Sequence, residues 1–112
     1  MQNQSGSEIL SSAKMWEESR NYPKAIDRYM EITENHFSNK DMLEEIYNNC
    51  FNLAMRYDKG RVNEISTVLG QRLLNIGKFE SAGELYEAVN QFERAIDSFL
   101  QIKKFDRAME CA

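Results

Sequence analysis

Residues 78–112, KFESAGELYEAVNQFERAIDSFLQIKKFDRAMECA, contain one pattern three times. In each block a Phe is followed at the third position by an alanine, and these alanines, Ala82, Ala95 and Ala108, are equally spaced. An earlier stretch, NYPKAIDRYMEI at residues 21–32, has Tyr in place of Phe and Ala25 in the same slot. Internal repetition of a short amphipathic block is typical of repeat architectures, so it outranks other patterns in predicting the fold.

Each complete copy places a large ring one helical turn after its alanine, at Tyr29, Tyr86 and Phe99. An alanine at a helix crossing lets two backbones approach closely, and the ring one turn later fills the space beside it. The interval from one alanine to the next accommodates one helix of two to three turns and a tight turn. Since such short helices are marginal alone in water, each must pack on its neighbours.

The sequence therefore predicts an all-α protein, an αα superhelix or tetratricopeptide-like α-solenoid of short antiparallel helices. We expect its repeat-packing positions to be Trp16, Tyr22, Ala25, Tyr29, Gly77, Phe79, Ala82, Tyr86, Phe92, Ala95, Phe99, Phe105 and Ala108.

A helical hairpin is predicted near the start of the chain. Ser5-x-x-Glu8 is a capping signature, and the helix that it opens should end near Arg20. Pro23 suits the first turn of the next helix, where its missing N–H costs nothing. Because the connection is so short, the two helices should lie antiparallel.

A polar break at residues 35–39 separates this hairpin from a longer helix, with Ser38-x-x-Asp41 as the expected N-terminal cap. Gly60 is expected to end that helix in the left-handed conformation, and Gly77 to end the next. Gly70 leaves open a division of the helix between them into two. The apolar stripe of the long helix comprises Leu43, Ile46, Tyr47, Cys50, Phe51, Ala54 and Tyr57.

Residues 1–4 are expected to form a disordered tail and residues 5–112 a single α-solenoid segment. The last block stops within its apolar stripe and lacks a polar closing helix, so we expect a fragment of a longer array. No window resembles a secretory signal or a membrane span.

Composition excludes several partners and chemistries. The formal net charge is −4 and basic residues are scattered, so nucleic acid is not an expected partner. Cys50 and Cys111 lie among apolar residues at helical spacing, which favours buried reduced thiols and a cytoplasmic location. His36 is the only histidine and lies in the polar break, so we predict no metal site.

No catalytic or cofactor-binding residue is predicted. The carboxylate pairs Glu17-Glu18 and Glu44-Glu45 are interpreted as solvated helix surface, since adjacent helical residues point about 100° apart. Core packing is favoured over a small-molecule ligand for the aromatic stripe. The chain is thus not expected to be an enzyme, and protein–protein interaction is its predicted role.

One polar cluster keeps a second hypothesis open. Asn48, Asn49, Asn52 and Arg56 lie on one predicted helix, as a peptide-binding groove would require. A chain of net negative charge with a single Arg there argues against an anionic tail as its ligand. No partner-binding residue is assigned on the sequence alone.

The residues also resemble known families. Arg20-Asn21-Tyr22 before Ala25, and Gly77-Lys78-Phe79 before Ala82, resemble the junction of the two helices of a tetratricopeptide repeat. The interval between those two alanines is not a multiple of the unit of roughly 34 residues, so the array is irregular.

More narrowly, AKMWEESRNYPKAIDRYMEI, LGQRLLNIGKFESAGELYEAV and FERAIDSFLQIKKFDRAMECA are together similar to the helical-repeat region of intraflagellar transport proteins of complex B. That resemblance implies a scaffold for cilium assembly, partners among other transport subunits, and a location in the cytoplasm and the cilium or flagellum. A vesicle-coat scaffold of the coatomer kind and a tetratricopeptide-type adaptor are the alternatives.

Overall fold

The computed structural model describes the backbone of residues 5–111 and the side chains of residues 5–103. Within that range the chain forms α-helices and no strand, so the predicted all-α class is confirmed. The elements are α1 (Gly6–Glu18), α2 (Tyr22–Met30), α3 (Lys40–Tyr57), a 3-10 turn (Lys59–Arg61), α4 (Val62–Asn75), α5 (Phe79–Ala88) and α6 (Phe92–Cys111).

The helices form two compact units, the first ending at Ile65 and the second beginning at Ser66. In the first unit α2 packs against both α1 and α3. Arg28 Nε donates to Ser12 Oγ at 3.1 Å and Tyr47 Oη to the Ile32 carbonyl at 3.3 Å. Cys50 is a buried free thiol, as predicted. The apolar core of this unit comprises Ile9, Ala13, Ala25, Ile26, Tyr29, Ile32, Leu43, Ile46, Tyr47, Cys50, Phe51, Leu53, Ala54 and Ile65.

In the second unit, α5 packs against α6 and presents a ring to α4. Gly70 of α4 lies against the ring of Tyr86, and Gly83 of α5 lies against the ring of Phe99. The interval along the chain from glycine to ring is the same in both pairs. A Cβ on either glycine would overlap the facing ring, so each glycine is a socket for an aromatic side chain. The apolar core of this unit comprises Leu69, Leu73, Ile76, Ala82, Leu85, Tyr86 and Ala95.

The same turn joins helices at three places. In each, one residue takes a positive φ: Arg20 at 64°, Gly77 at 82° and Asn90 at 63°. The next residue donates its N–H to the carbonyl of the fifth residue before it, and the following helix begins immediately after it. These bonds are Asn21 to Trp16, Lys78 to Leu73 and Gln91 to Tyr86, all at 2.9 Å.

This geometry is the Schellman motif, which satisfies carbonyls that the end of a helix leaves free. The amide of the alanine in each block then closes the first turn of the new helix, from Ala25, Ala82 and Ala95 to the carbonyl of the fourth residue before each. The aromatic–x–x–Ala pattern is therefore the sequence signature of one turn between helices that recurs three times. We call this turn the helix corner.

The expected fourth corner is absent, and the prediction of a separate last helix is wrong. Lys103 stands one repeat interval after Asn90, yet α6 continues through it to Cys111. The Lys103-Lys104-Phe105 stretch offers neither Gly nor Asn, which take the left-handed conformation at least cost, whereas Lys has a good helix propensity. Arg20 tolerates that conformation where the helices on both sides of it pack together.

The prediction for Gly60 is also wrong, and the division of α4 at Gly70 that the sequence left open does not occur. Gly60 lies in the 3-10 turn without a positive φ, because α3 ends at Tyr57 and the turn leads directly into α4. Gly70 does not divide α4. Its lack of a Cβ makes room for the Tyr86 ring, and the helix continues through it. Gly77 ends the helix segment as predicted.

The helix caps agree with the sequence at α1 and differ at α3. Ser5 Oγ accepts from the Glu8 N–H at 3.2 Å, which confirms that cap. At α3 the cap is Asn39 and not Ser38, with Asn39 Oδ1 accepting from the Met42 N–H at 3.1 Å. Asn is at least as good a cap as Ser, and it leaves Asp41 inside the first turn.

The predicted packing positions differ in burial. Ala25, Tyr29, Ala82, Tyr86 and Ala95 are buried, and Trp16, Tyr22, Phe79 and Phe99 are half-buried. Phe92 is 56% exposed, so in this structure it does not pack in a core. Phe105, Ala108 and Cys111 lie outside the residues whose side chains are described.

Across residues 5–111 no helix combines the length and the apolar character needed to cross a lipid bilayer.

Candidate interaction surfaces

A groove of about 520 Å³ lies in the first unit, between the end of α1, the start of α2 and the last turns of α3. Its size is that of an ordinary ligand cleft. Most of its lining is polar or aromatic, which distinguishes it from the apolar core beneath. The residues that line it are Glu17, Tyr22, Asn49, Asn52, Leu53, Met55, Arg56 and Tyr57.

Two hydrogen bonds fix the Glu17 carboxylate in this groove. Tyr29 Oη donates to Glu17 Oε1 at 2.7 Å, and Asn49 Nδ2 donates to the same oxygen at 3.3 Å. Burial, and then the bond to Glu17, raise the pKa of Tyr29, so its hydroxyl keeps its proton and remains a donor. Glu17 is therefore held in place by α2 and α3, and both bonds use the same one of its two oxygens.

Two tyrosines form the aromatic part of the lining. The rings of Tyr22 and Tyr57 stack with centroids 3.7 Å apart and planes 5° from parallel. A hydrogen bond with the Tyr57 hydroxyl is the main cause that raises the pKa of Tyr22. The sequence places Tyr57 in the apolar stripe of α3, but it is 47% exposed, because the helix ends there.

The predicted polar cluster is brought together only in part. Asn49, Asn52 and Arg56 recur at the spacing of successive helical turns, so they share one face of α3 and line the groove. Asn48 is half-buried and does not line it. Asn52 and Arg56 are exposed, and neither makes a side-chain hydrogen bond or ion pair among the described residues.

A second surface is the apolar face of α6, formed by Phe92, Ile96 and Leu100. These residues recur at every fourth position and are 56%, 57% and 45% exposed. Contiguous apolar side chains of this size on a helix face mark contact surfaces. One repeat earlier in the sequence, Phe92 and Ile96 correspond to Phe79 and Gly83 of α5, and Gly83 is covered by Phe99 of α6.

Groups that suggest metal or acid–base chemistry have structural partners instead. His36 Nδ1 accepts from the Thr33 N–H at 3.1 Å, which closes the loop before α3. The Cys50 thiol lies 3.7 Å from the Ile26 carbonyl. Within the described part of the chain, His, Cys, Asp and Glu form no group of three that could hold a metal ion.

Sequence reasoning missed Glu17 and the tyrosine pair as surface features. It groups Glu17 with Glu18 as solvated, but Glu17 is half-buried and only Glu18 is exposed. The usable signal was Tyr29, a predicted core ring whose hydroxyl needs a partner when buried. Nothing in the spacing of Tyr22 and Tyr57 pointed to a stack between α2 and α3.

Comparison with known proteins finds relatives of one kind. Over 104 residues, 93% of this chain, it is 29% identical to intraflagellar transport protein 172 of Chlamydomonas reinhardtii. Over 105 residues it is 27% identical to the homologous protein of Danio rerio and 26% identical to that of Homo sapiens. The chain spans 6% of the length of these relatives. No family model matches the chain, and no solved structure matches it.

Proposed function

We propose that this chain is a segment of a tetratricopeptide-like α-solenoid that serves as a protein–protein interaction scaffold in intraflagellar transport. The observation that carries the proposal is the helix corner repeated at Arg20, Gly77 and Asn90 with the same hydrogen bonds. A repeated corner sets a repeated angle between successive helices, and that is how solenoids are built. Similarity to intraflagellar transport protein 172 supplies the biological setting.

The packing of each unit suits such an array. The short helices α2 and α5 are marginal by themselves in water, and in the second unit the glycine sockets let successive helices approach closely. The apolar face of α6 remains open on the side that, one repeat earlier, is covered by the next helix. In the proposed array a neighbouring helix packs on this face of α6. The same surface would thus serve either the next repeat or a partner protein.

The proposed partners are other protein subunits of the transport complex, and the proposed location is the cytoplasm and the cilium or flagellum. The role requires no catalysis, cofactor, nucleic acid or small-molecule substrate. Functional groups that serve chemistry elsewhere are engaged here in loop closure and core packing, as His36 and Cys50 illustrate.

The function is tested by expressing the tagged chain in ciliated cells and quantifying co-purified proteins. We expect enrichment of intraflagellar transport subunits over vesicle-coat subunits and chaperones. The double variant Ile96→Ser/Leu100→Ser should lose that enrichment, whereas Glu93→Gln on the same helix should keep it. Enrichment of coat subunits or chaperones alone would remove the transport assignment.

The solenoid arrangement is tested separately by small-angle X-ray scattering. A compact globular chain of this length has a radius of gyration of about 13 Å. An array of stacked helices is longer in one direction and should give a clearly larger value. A value at the globular expectation would contradict the solenoid while leaving the all-α structure of each unit unchanged.

A further inference from the structure

The groove of the first unit carries a binding site that the scaffold role does not require. We infer that it binds a Lys or Arg side chain from an extended segment of a partner protein. The groove lies wholly within residues of α1, α2 and α3, so the inference stands whether or not the chain belongs to a transport subunit.

The anion of the site is Glu17. Both of its hydrogen bonds end on Oε1, so Oε2 has no partner among the described residues, and no ion pair there involves Glu17. Because Tyr29 and Asn49 already hold the carboxylate, a basic ligand would not have to order it on binding. A preorganised, half-buried carboxylate is a stronger partner for a cation than a mobile surface one.

The stacked tyrosines supply the second contact. A cation is attracted to the face of an aromatic ring, and the apolar stem of a Lys or Arg side chain packs well along one. Tyr22 and Tyr57 line the same groove as Glu17, and Tyr57 is exposed. A basic side chain entering the groove can therefore reach a carboxylate and a ring surface together.

The remaining lining suits the backbone of an extended segment. Asn52 has a free donor and a free acceptor, which match the C=O and N–H of a peptide unit. Arg56 places a positive charge at another part of the lining, where it would favour a carbonyl or acidic group of the ligand. Arg56 also disfavours a basic ligand through repulsion, so its removal should strengthen basic-ligand binding.

The test is an NMR titration of the ¹⁵N-labelled full chain with four probes: the N-acetyl methylamides of lysine, arginine, norleucine and glutamate. We expect saturable shifts of the Asn49 and Asn52 side-chain amides with the lysine and arginine probes only. Glu17→Gln keeps an acceptor for Tyr29 and removes the charge, so binding should weaken about fivefold. Glu18→Gln, an exposed neighbour outside the groove, should bind as the original chain does.

Arg56→Gln should bind both basic probes more tightly than the original chain. Equal shifts with norleucine would assign the groove to apolar ligands, and shifts with glutamate alone would assign it to anionic tails held by Arg56. Either result overturns the inference, as would unchanged binding in Glu17→Gln. The backbone spectrum of each variant shows whether the α1–α3 packing is intact.

Discussion

Two ring-and-socket pairs in the second unit share one spacing and differ in their surroundings. Tyr86 lies against Gly70 and is 2% exposed, whereas Phe99 lies against Gly83 and is half-buried. The Tyr86 ring lies against Gly70 of α4, and the Arg94 guanidinium of α6 lies 5.9 Å from its centroid. Phe99 instead lies on α6, the helix whose apolar residues Phe92, Ile96 and Leu100 are exposed.

The difference shows what a repeat gains from its neighbours. The same glycine-to-ring spacing gives a buried, tightly packed contact at Tyr86. At Phe99 it gives a partly exposed contact that can shift. We call Gly70–Tyr86 the inner pair and Gly83–Phe99 the outer pair. We therefore expect the inner pair to contribute most to the stability of the unit. The outer pair should tolerate change until another helix packs against α6.

The largest expected effect comes from removing the two rings. Tyr86→Ala should lower the free energy of unfolding by about 4 kcal/mol, because it leaves a cavity lined by buried side chains. Phe99→Ala should cost about half as much, since water can enter part of the vacated space. Urea denaturation followed by circular dichroism measures both values. Equal losses would mean that Phe99 is covered in solution.

Adding a Cβ at each glycine socket should have a smaller effect than removing the rings, and the effect should be larger at Gly70 than at Gly83. A helix-interior Gly→Ala change gains about 1 kcal/mol in propensity, and overpacking costs about 1–3 kcal/mol. At Gly70 the new Cβ would overlap the buried Tyr86 ring, so Gly70→Ala should be destabilising by about 1–2 kcal/mol. At Gly83 the Cβ would lie 2.6 Å from Phe99 Cε1, but that ring is only half-buried, so we expect it to shift.

Gly83→Ala should consequently be nearly neutral. Gly60→Ala is the matched control, since nothing lies within 4 Å of its Cβ position and its φ is not positive. Thermal unfolding of the three variants ranks them directly. A Gly83→Ala loss as large as that of Gly70→Ala would contradict an adjustable outer pair.

The corners before α5 and α6 extend the comparison to the backbone. Gly77 and Asn90 occupy equivalent left-handed positions. Gly77→Ala should cost about 1–2 kcal/mol, because a Cβ is strained at φ +82°. Asn90→Gly should stabilise by a few tenths to about 1 kcal/mol, since Asn already tolerates that conformation and Gly relieves what strain remains. A stabilising Gly77→Ala would show that the corner is not held in this conformation.

Much of this fold was accessible from spacing alone. The aromatic–x–x–Ala pattern predicted where three helices begin, because the corner that produces it is local and repeats its residues. The sequence could not show that Lys103 would remain helical, since Arg20 adopts the left-handed conformation with a side chain of the same kind. Packing on both flanks of Arg20 decides that difference, and packing is not local.

The candidate site was predictable to a smaller extent. The face of α3 with Asn49, Asn52 and Arg56 followed from helical periodicity. Glu17 and Tyr22 come from other helices, so their position depends on the angles between α1, α2 and α3. The sequence treats Glu17 and Glu18 as one solvated pair, but successive helical residues are rotated by about 100°. Glu18 therefore faces solvent while Glu17 is half-buried.

The smallest expected effect tests the open side of the outer pair directly. Ile96→Ser replaces an exposed apolar residue on α6 and should change the free energy of unfolding by less than about 0.5 kcal/mol. Leu85→Ser, at a buried position of the adjacent helix α5, is the comparison variant and should cost several times more. Measuring both at two protein concentrations separates the unit itself from self-association. If Ile96→Ser were costly only at the higher concentration, a second copy would cover this face. That result would make Phe99 an inner ring in the assembled state, because the exposure of α6 is what distinguishes it from Tyr86.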